Sequence, residues 1–180
     1  MSGLPETPMS NPPLSLAAVN AMDEAGFEAS FGDIAEHSPW VARAAFAGHP
    51  FADHSALVAA FHAAIAGATY EAQLALLREH PDLAGKARIA ELAVESQVEQ
   101  LGAGLDRLSE AEFAAFTRLN TAYRARHGIP FIRAVKGSTK DQIIAAFHER
   151  LPNPPETEFA TALTQVGRII RFRLEDRVAP

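Results

Sequence analysis

The sequence predicts a single all-α domain of about eight to nine helices, and three observations carry that prediction. Its 180 residues suffice for one ordinary globular domain and are short for two. Hydrophobic residues make up 48% and charged residues 21%, so there is apolar material for a core and wholesale disorder is excluded. Alanine and leucine are abundant, whereas continuous runs of Val, Ile and Thr are nearly absent.

The elements follow in order. Residues 1–13 are rich in Pro, Ser and Gly, lack the basic start and apolar stretch of a secretory signal, and read as a disordered tail before a helical domain over 14–178. Two short helices are expected over 14–22 and 23–30, the second capped by Asp23, and a third over 39–47 with Pro39 in its first turn. Asp53 can cap a helix over 55–65, where Leu57, Val58, Phe61 and Ile65 recur at helical spacing. Thr69 starts the next, over 70–79, and Pro81 prevents its continuation because the ring clashes with the preceding turn and supplies no amide donor. A helix over 88–101 ends at Gly102 and Gly104. Ser109 and Glu112 form a capping box before Phe113, Phe116, Leu119 and Tyr123, which predicts a helix running to about residue 127 and closed by Gly128. Pro130 keeps the apolar stretch 129–132 out of helix, as an extended connector. Thr139 opens a helix over 140–151, the prolines at 152, 154 and 155 break it, and a last helix over 156–178 carries Phe159, Leu163, Val166 and Ile170 on one stripe.

Composition excludes several functions. Without cysteine there is no disulfide scaffold, thiolate zinc site or cysteine nucleophile. A formal charge of −6 repels phosphate backbones and anionic membranes, so nucleic acid is not an expected partner. Apolar runs such as 63–68 fall far short of the roughly 20 residues that a membrane-spanning helix requires. Nucleotide-binding glycine motifs and the nucleophile elbow are missing. His49, His54 and His62 lie near one another in sequence but without metal-ligand spacing, and they read as surface or capped histidines; no metal is expected. What remains is acid/base chemistry without a cofactor.

Three features could carry it. His80 stands at a helix end with Pro81 fixing the backbone beyond it, either a turn or a held proton carrier that titrates near neutrality. Ser96 and Glu99 have capping-box spacing, yet Ser96, Glu99 and Gln100 would also share one face of a helix. At about 100° per residue, Arg173 falls on the apolar stripe of the last helix, where a guanidinium needs an anionic partner. That partner is an internal carboxylate or a ligand carboxylate. Arg177 points the same way near the end expected to fray.

Taken together, residues 31–42 (FGDIAEHSPWVA), 80–86 (HPDLAGK), 96–100 (SQVEQ) and 128–132 (GIPFI) resemble, in order and spacing, the signatures of the 2-oxo-4-hydroxy-4-carboxy-5-ureidoimidazoline (OHCU) decarboxylases of urate degradation. The stretches 150–153 (RLPN) and 172–174 (FRL) extend the resemblance across about 14–174. It implies an all-α fold, usually a homodimer, that converts OHCU into (S)-allantoin and carbon dioxide with no metal or organic cofactor. His80 then matches the catalytic histidine and Glu99 the acid that assists it. Pro81, Ser96 and Gln100 match substrate-binding positions, as do Phe131 and Ile132 in the connector and Arg173 in the last helix. His37 and Trp40 belong to a stretch expected to be structural, with Trp40 a core anchor. Gln165 stands where family members commonly carry an acid, and the terminal ValAlaPro is not a peroxisomal address, which favours the cytosol. Two other readings stay open: a non-enzymatic helical interaction module without a recess joining His80, Glu99 and Arg173, and a decarboxylase of a related ureido or carboxylated heterocycle.

Overall fold

Side-chain caps start most helices where the sequence places them. In the computed structural model, which describes residues 12–84 and 94–179, nine α-helices are found among the described residues. They are α1 (Leu16–Asn20), α2 (Glu24–Phe31), α3 (Trp40–Ala45), α4 (His54–Ala66), α5 (Tyr70–Glu79), α6 (Val94–Gly102), α7 (Glu110–His127), α8 (Lys140–Arg150) and α9 (Pro155–Arg177). Asp23, Asp53 and Thr69 each accept a hydrogen bond from the amide three residues on, satisfying a donor that the first helical turn leaves unpaired. Ser109 with Glu112 and Thr139 with Gln142 form reciprocal capping boxes. Gly128, at φ +69°, closes α7 in the left-handed conformation that glycine adopts without penalty. The expected tail over 1–13 and the helix expected from 88 fall partly outside the described residues.

The long helix α9 organises the core, packing against α4, α5 and α7. Its buried stripe is Ala162, Val166, Ile169, Ile170 and Leu174, with Glu158 and Arg173 at its two ends. Phe159 and Leu163, expected on that stripe, only flank it half-buried, and where α4 comes closest α9 carries a small residue instead. Gly167 illustrates this: a Cβ there would stand 3.1 Å from the His62 ring, whose Nε2 bonds the Gly167 carbonyl at 3.0 Å. At one end of the core Phe27, Phe31, Phe46, Phe51 and Phe61 form a ring cluster. At the other, Phe131 stacks on Phe147 with centroids 3.7 Å apart, and Tyr123 meets both edge-on. Trp40 is half-buried at the edge of the core rather than anchoring it, since it begins the short α3 beside exposed Pro39.

The C-terminal end is tied down. Leu14 and Val178 form an isolated bridge, with Leu14 N–H donating to Arg177 O at 2.9 Å and Ala179 N–H to Leu14 O at 2.8 Å. Arg177 reaches Ser30 O at 2.7 Å and Asp33 at 2.5 Å, so the expected fraying at this end does not occur.

Candidate active site

His80 follows the last residue of α5, and Pro81 ends that helix as the sequence predicts. The imidazole is buried, with Nδ1 2.9 Å from the Leu76 carbonyl. A carbonyl only accepts, so Nδ1 carries the proton of the neutral ring and Nε2 keeps a lone pair. Nε2 is buried and has no hydrogen-bond partner among the described residues. Burial lowers the imidazole pKa below its usual value against the opposing pull of Glu36, which favours the neutral ring. The result is a desolvated base with its lone pair uncommitted.

A recess of about 350 Å³, counting the part open to solvent, adjoins this ring. Pro81, Ser96, Glu99, Gln100, Phe131, Ile132 and Arg173 line it with His80, so all eight residues singled out from the sequence border one hollow. Glu36 and Arg133 border it too, and sequence reasoning gave neither a role.

Ser96 lies inside α6 rather than capping it, because the helix is already formed at Val94. The capping-box reading of Ser96 and Glu99 is therefore overturned. Its hydroxyl instead donates to Glu36 Oε1 at 2.6 Å and accepts from Arg173 Nη2 at 3.0 Å. Gln100, one position past Glu99 on the same helix, accepts from Ala84 N–H at 3.0 Å and donates to Asp82 O at 3.4 Å, fastening the loop that follows His80. Asn120 of α7 donates to Leu83 O at 2.8 Å and holds that loop from the other side.

Arg173 occupies the centre of the polar wall. Its Nε donates to Glu99 Oε1 at 2.8 Å and Nη1 to Ile34 O at 3.1 Å. Nη2 reaches Glu36 Oε1 at 2.8 Å and Glu99 Oε2 at 3.0 Å. The arginine is thus internally paired, with two carboxylates on one guanidinium. Burial alone would lower its pKa, but Glu99 and Glu36 raise it, and the charge is permanent. Glu36 is pushed up by burial, yet the Arg173 charge and the bonds from Ser96 and Arg173 outweigh this and hold it ionised below its usual value.

The apolar wall is the connector after α7. Its backbone could not be buried unless its polar groups were answered, and two side chains do so. Arg150 Nη1 donates to Ile132 O at 2.7 Å, and Gln165 Oε1 accepts from Ala134 N–H at 3.0 Å. The Arg150 guanidinium also lies 4.5 Å from the Phe131 ring centroid. Glu158 accepts from Arg150 Nε at 2.9 Å, from Asn153 Nδ2 at 2.8 Å and from the Tyr123 hydroxyl. No group of three or more His, Cys, Asp or Glu among the described residues is placed to hold a metal ion, and no described helix is long and apolar enough to cross a membrane. His37 is exposed and takes no part in the recess.

Comparison with known proteins gives a consistent result. The family described as OHCU decarboxylase matches residues 20–175. A 2-oxo-4-hydroxy-4-carboxy-5-ureidoimidazoline decarboxylase of Haloferax volcanii is 43% identical over 164 residues, covering 91% of this chain and 96% of that protein. A decarboxylase of the same name from Halalkalicoccus jeotgali is 39% identical over 167 residues, covering 93% of each. Among solved structures, a crystal structure of (S)-allantoin synthase superimposes with a TM-score of 0.75 at 31% identity, over 92% of this chain and 54% of the other; the chain spans about half the length of that protein.

Proposed function

The chain belongs to the OHCU decarboxylase family, and from that membership we propose that it converts OHCU to (S)-allantoin and carbon dioxide in urate degradation, with His80 as the base. The observation that carries the assignment of His80 is its buried Nε2, an unbonded lone pair on a ring that lines the recess. In the proposed reaction Nε2 takes or orients the substrate's hydroxyl proton. The bond from the ring carbon to the carboxylate then breaks, carbon dioxide leaves, and the electron pair passes into the conjugated imidazoline. A proton delivered to one face of the neighbouring ring carbon, which bears the ureido group, sets the S configuration as the carbon that lost the carboxylate becomes a carbonyl. Because the substrate ring is itself the electron sink, the proposal needs neither a metal nor an organic cofactor.

Arg173 holds the substrate's anionic group, Glu99 assists His80 from the same wall, and Ser96, Gln100 and Pro81 shape the polar side. Phe131 and Ile132 supply an apolar surface beside which the carboxylate leaves as a neutral gas. Grip by Arg173 that is equal in ground and transition states lowers KM without raising kcat, so the orientation of the scissile bond matters more. The proposal includes one helical domain over 14–178 with a dispensable segment before it, a cytoplasmic location, and a homodimer, the last resting on the family resemblance. An interaction module would not need His80, Glu99 and Arg173 around one recess, which speaks against that alternative. A related ureido heterocycle as substrate is tested by the same assay. Freshly generated OHCU is followed by circular dichroism, since spontaneous decay gives racemic allantoin. Accumulation of one hand in proportion to enzyme supports the proposal, and a racemic product at the uncatalysed rate refutes it.

A further inference from the structure

Two carboxylates share the Arg173 guanidinium, and their surroundings differ. The Glu36 side chain is 3% exposed, like that of Arg173 itself, whereas the Glu99 side chain is 21% exposed at the rim. Glu36 arrives from the turn after α2 at φ +48°, a left-handed conformation unfavourable for a residue with a Cβ. Its Oε1 is clamped by both Arg173 Nη2 and the Ser96 hydroxyl, so it is held from α9 and α6 at once. Glu99, by contrast, makes its two bonds to Arg173 from a side chain that water reaches. With His80 neutral, Glu36, Glu99 and Arg173 together carry one negative charge in excess. An incoming carboxylate therefore meets a guanidinium whose charge is already over-compensated, and it pairs fully with that cation when one of the resident carboxylates gives way.

We propose that Glu36 is the fixed counter-ion and a positioning residue of the site, holding Arg173 in place while Glu99 releases the guanidinium to the substrate carboxylate. This rests on the decarboxylase reading of the recess. Glu99 is the carboxylate that can turn to water or toward His80; Glu36 cannot leave without breaking a clamp from two helices. Glu36 also sets the field at His80. The charged groups around that ring are Glu36 from the turn after α2, Glu79 of α5, Glu99 of α6, Arg133 of the connector and Arg173 of α9. Removing the Glu36 charge takes away a neighbour that favours the imidazolium.

The test compares Glu36→Gln and Glu36→Asp with the unsubstituted protein, by the circular dichroism assay across pH and by thermal melting. Glu36→Gln keeps the shape but frees Glu99 to close on Arg173 as its sole counter-ion. KM for OHCU should rise about tenfold to a hundredfold, the scale of a charge-assisted hydrogen bond, with a smaller change in kcat. The acid limb of kcat/KM should move to lower pH. Glu36→Asp keeps the charge near His80 but shortens the reach to Arg173, so KM should rise while the acid limb stays put. Folded variants with unchanged KM and an unmoved limb overturn the proposal, as does a lowered melting temperature with kinetics intact. If Glu36→Gln does not fold, an unchanged KM in Glu36→Asp overturns it on its own. A parent protein that forms no (S)-allantoin refutes the decarboxylase reading instead, so the two failures are told apart.

Discussion

Two buried arginines in this molecule meet carboxylates in opposite ways. Around Arg150 the bonding is closed: one carboxylate, Glu158, receives the guanidinium, the Tyr123 hydroxyl and the Asn153 amide, while the remaining guanidinium bonds go to Ile132 O at 2.7 Å and Tyr123 at 3.2 Å. Around Arg173 it is open, since two carboxylates compete for one cation beside an imidazole nitrogen that bonds nothing described. The first arrangement fixes the apolar wall of the recess, and the second leaves groups that a ligand can re-pair. A buried ion pair is thus structural where every lone pair is answered, and a site where one is left over.

The contrast breaks most sharply at His80. Replacing it with alanine should lower turnover by about 10²- to 10⁴-fold, the usual worth of a positioned acid or base, while the melting temperature holds. Turnover within a few-fold of the parent would remove His80 from the mechanism. Next in size is Arg150→Ala, which leaves Glu158 buried and unpaired and should cost about 3 to 5 kcal/mol in denaturant unfolding. Arg173→Ala also strands a buried carboxylate, Glu36, and should cost stability too, but unlike Arg150→Ala it should raise KM as well. An unchanged KM in Arg173→Ala would erase the distinction between the two sets.

The smallest effect concerns pH. Burial lowers the His80 pKa in the folded state, so below about pH 6.5 the unfolded chain takes up a proton that the folded one does not. Stability is therefore complete above that pH and falls as the pH drops toward the lowered folded value, by at most about 1.4 kcal/mol per unit for this one group. His127, beside the Arg150 set, is also lowered chiefly by burial and adds in the same direction. His80→Gln should flatten the acid decline measured by unfolding at several pH values. An unaltered slope would mean that His80 is not held neutral.

Much of this was legible in the chain because it is local. The caps at Asp23, Asp53, Thr69 and Ser109 act within three residues, and Pro81 and Gly128 act on their own backbone. Arg173 could be put on the inner face of its helix by angle alone, but the choice between substrate and internal carboxylate needed partners 74 and 137 residues away. Glu36 was missed for a related reason. It lies in the EHSPW stretch, in a left-handed turn where no periodicity marks a face, and His37 next to it points to solvent. An ionisable residue inside a stretch already recognised for its family likeness was the available signal. Arg150 was visible in RLPN, yet its pairing with Glu158 depends on how α8 meets α9 across two prolines.

The bridge between Leu14 and Val178 sets where anything attached to this domain would emerge. The two positions are neighbours, so a fusion at either side issues from the same patch of surface. A few glycines and serines could equally join them, with new termini opened at an exposed turn such as Gly67. Such a circularly rewired chain would keep its hollow while reading its helices in another order.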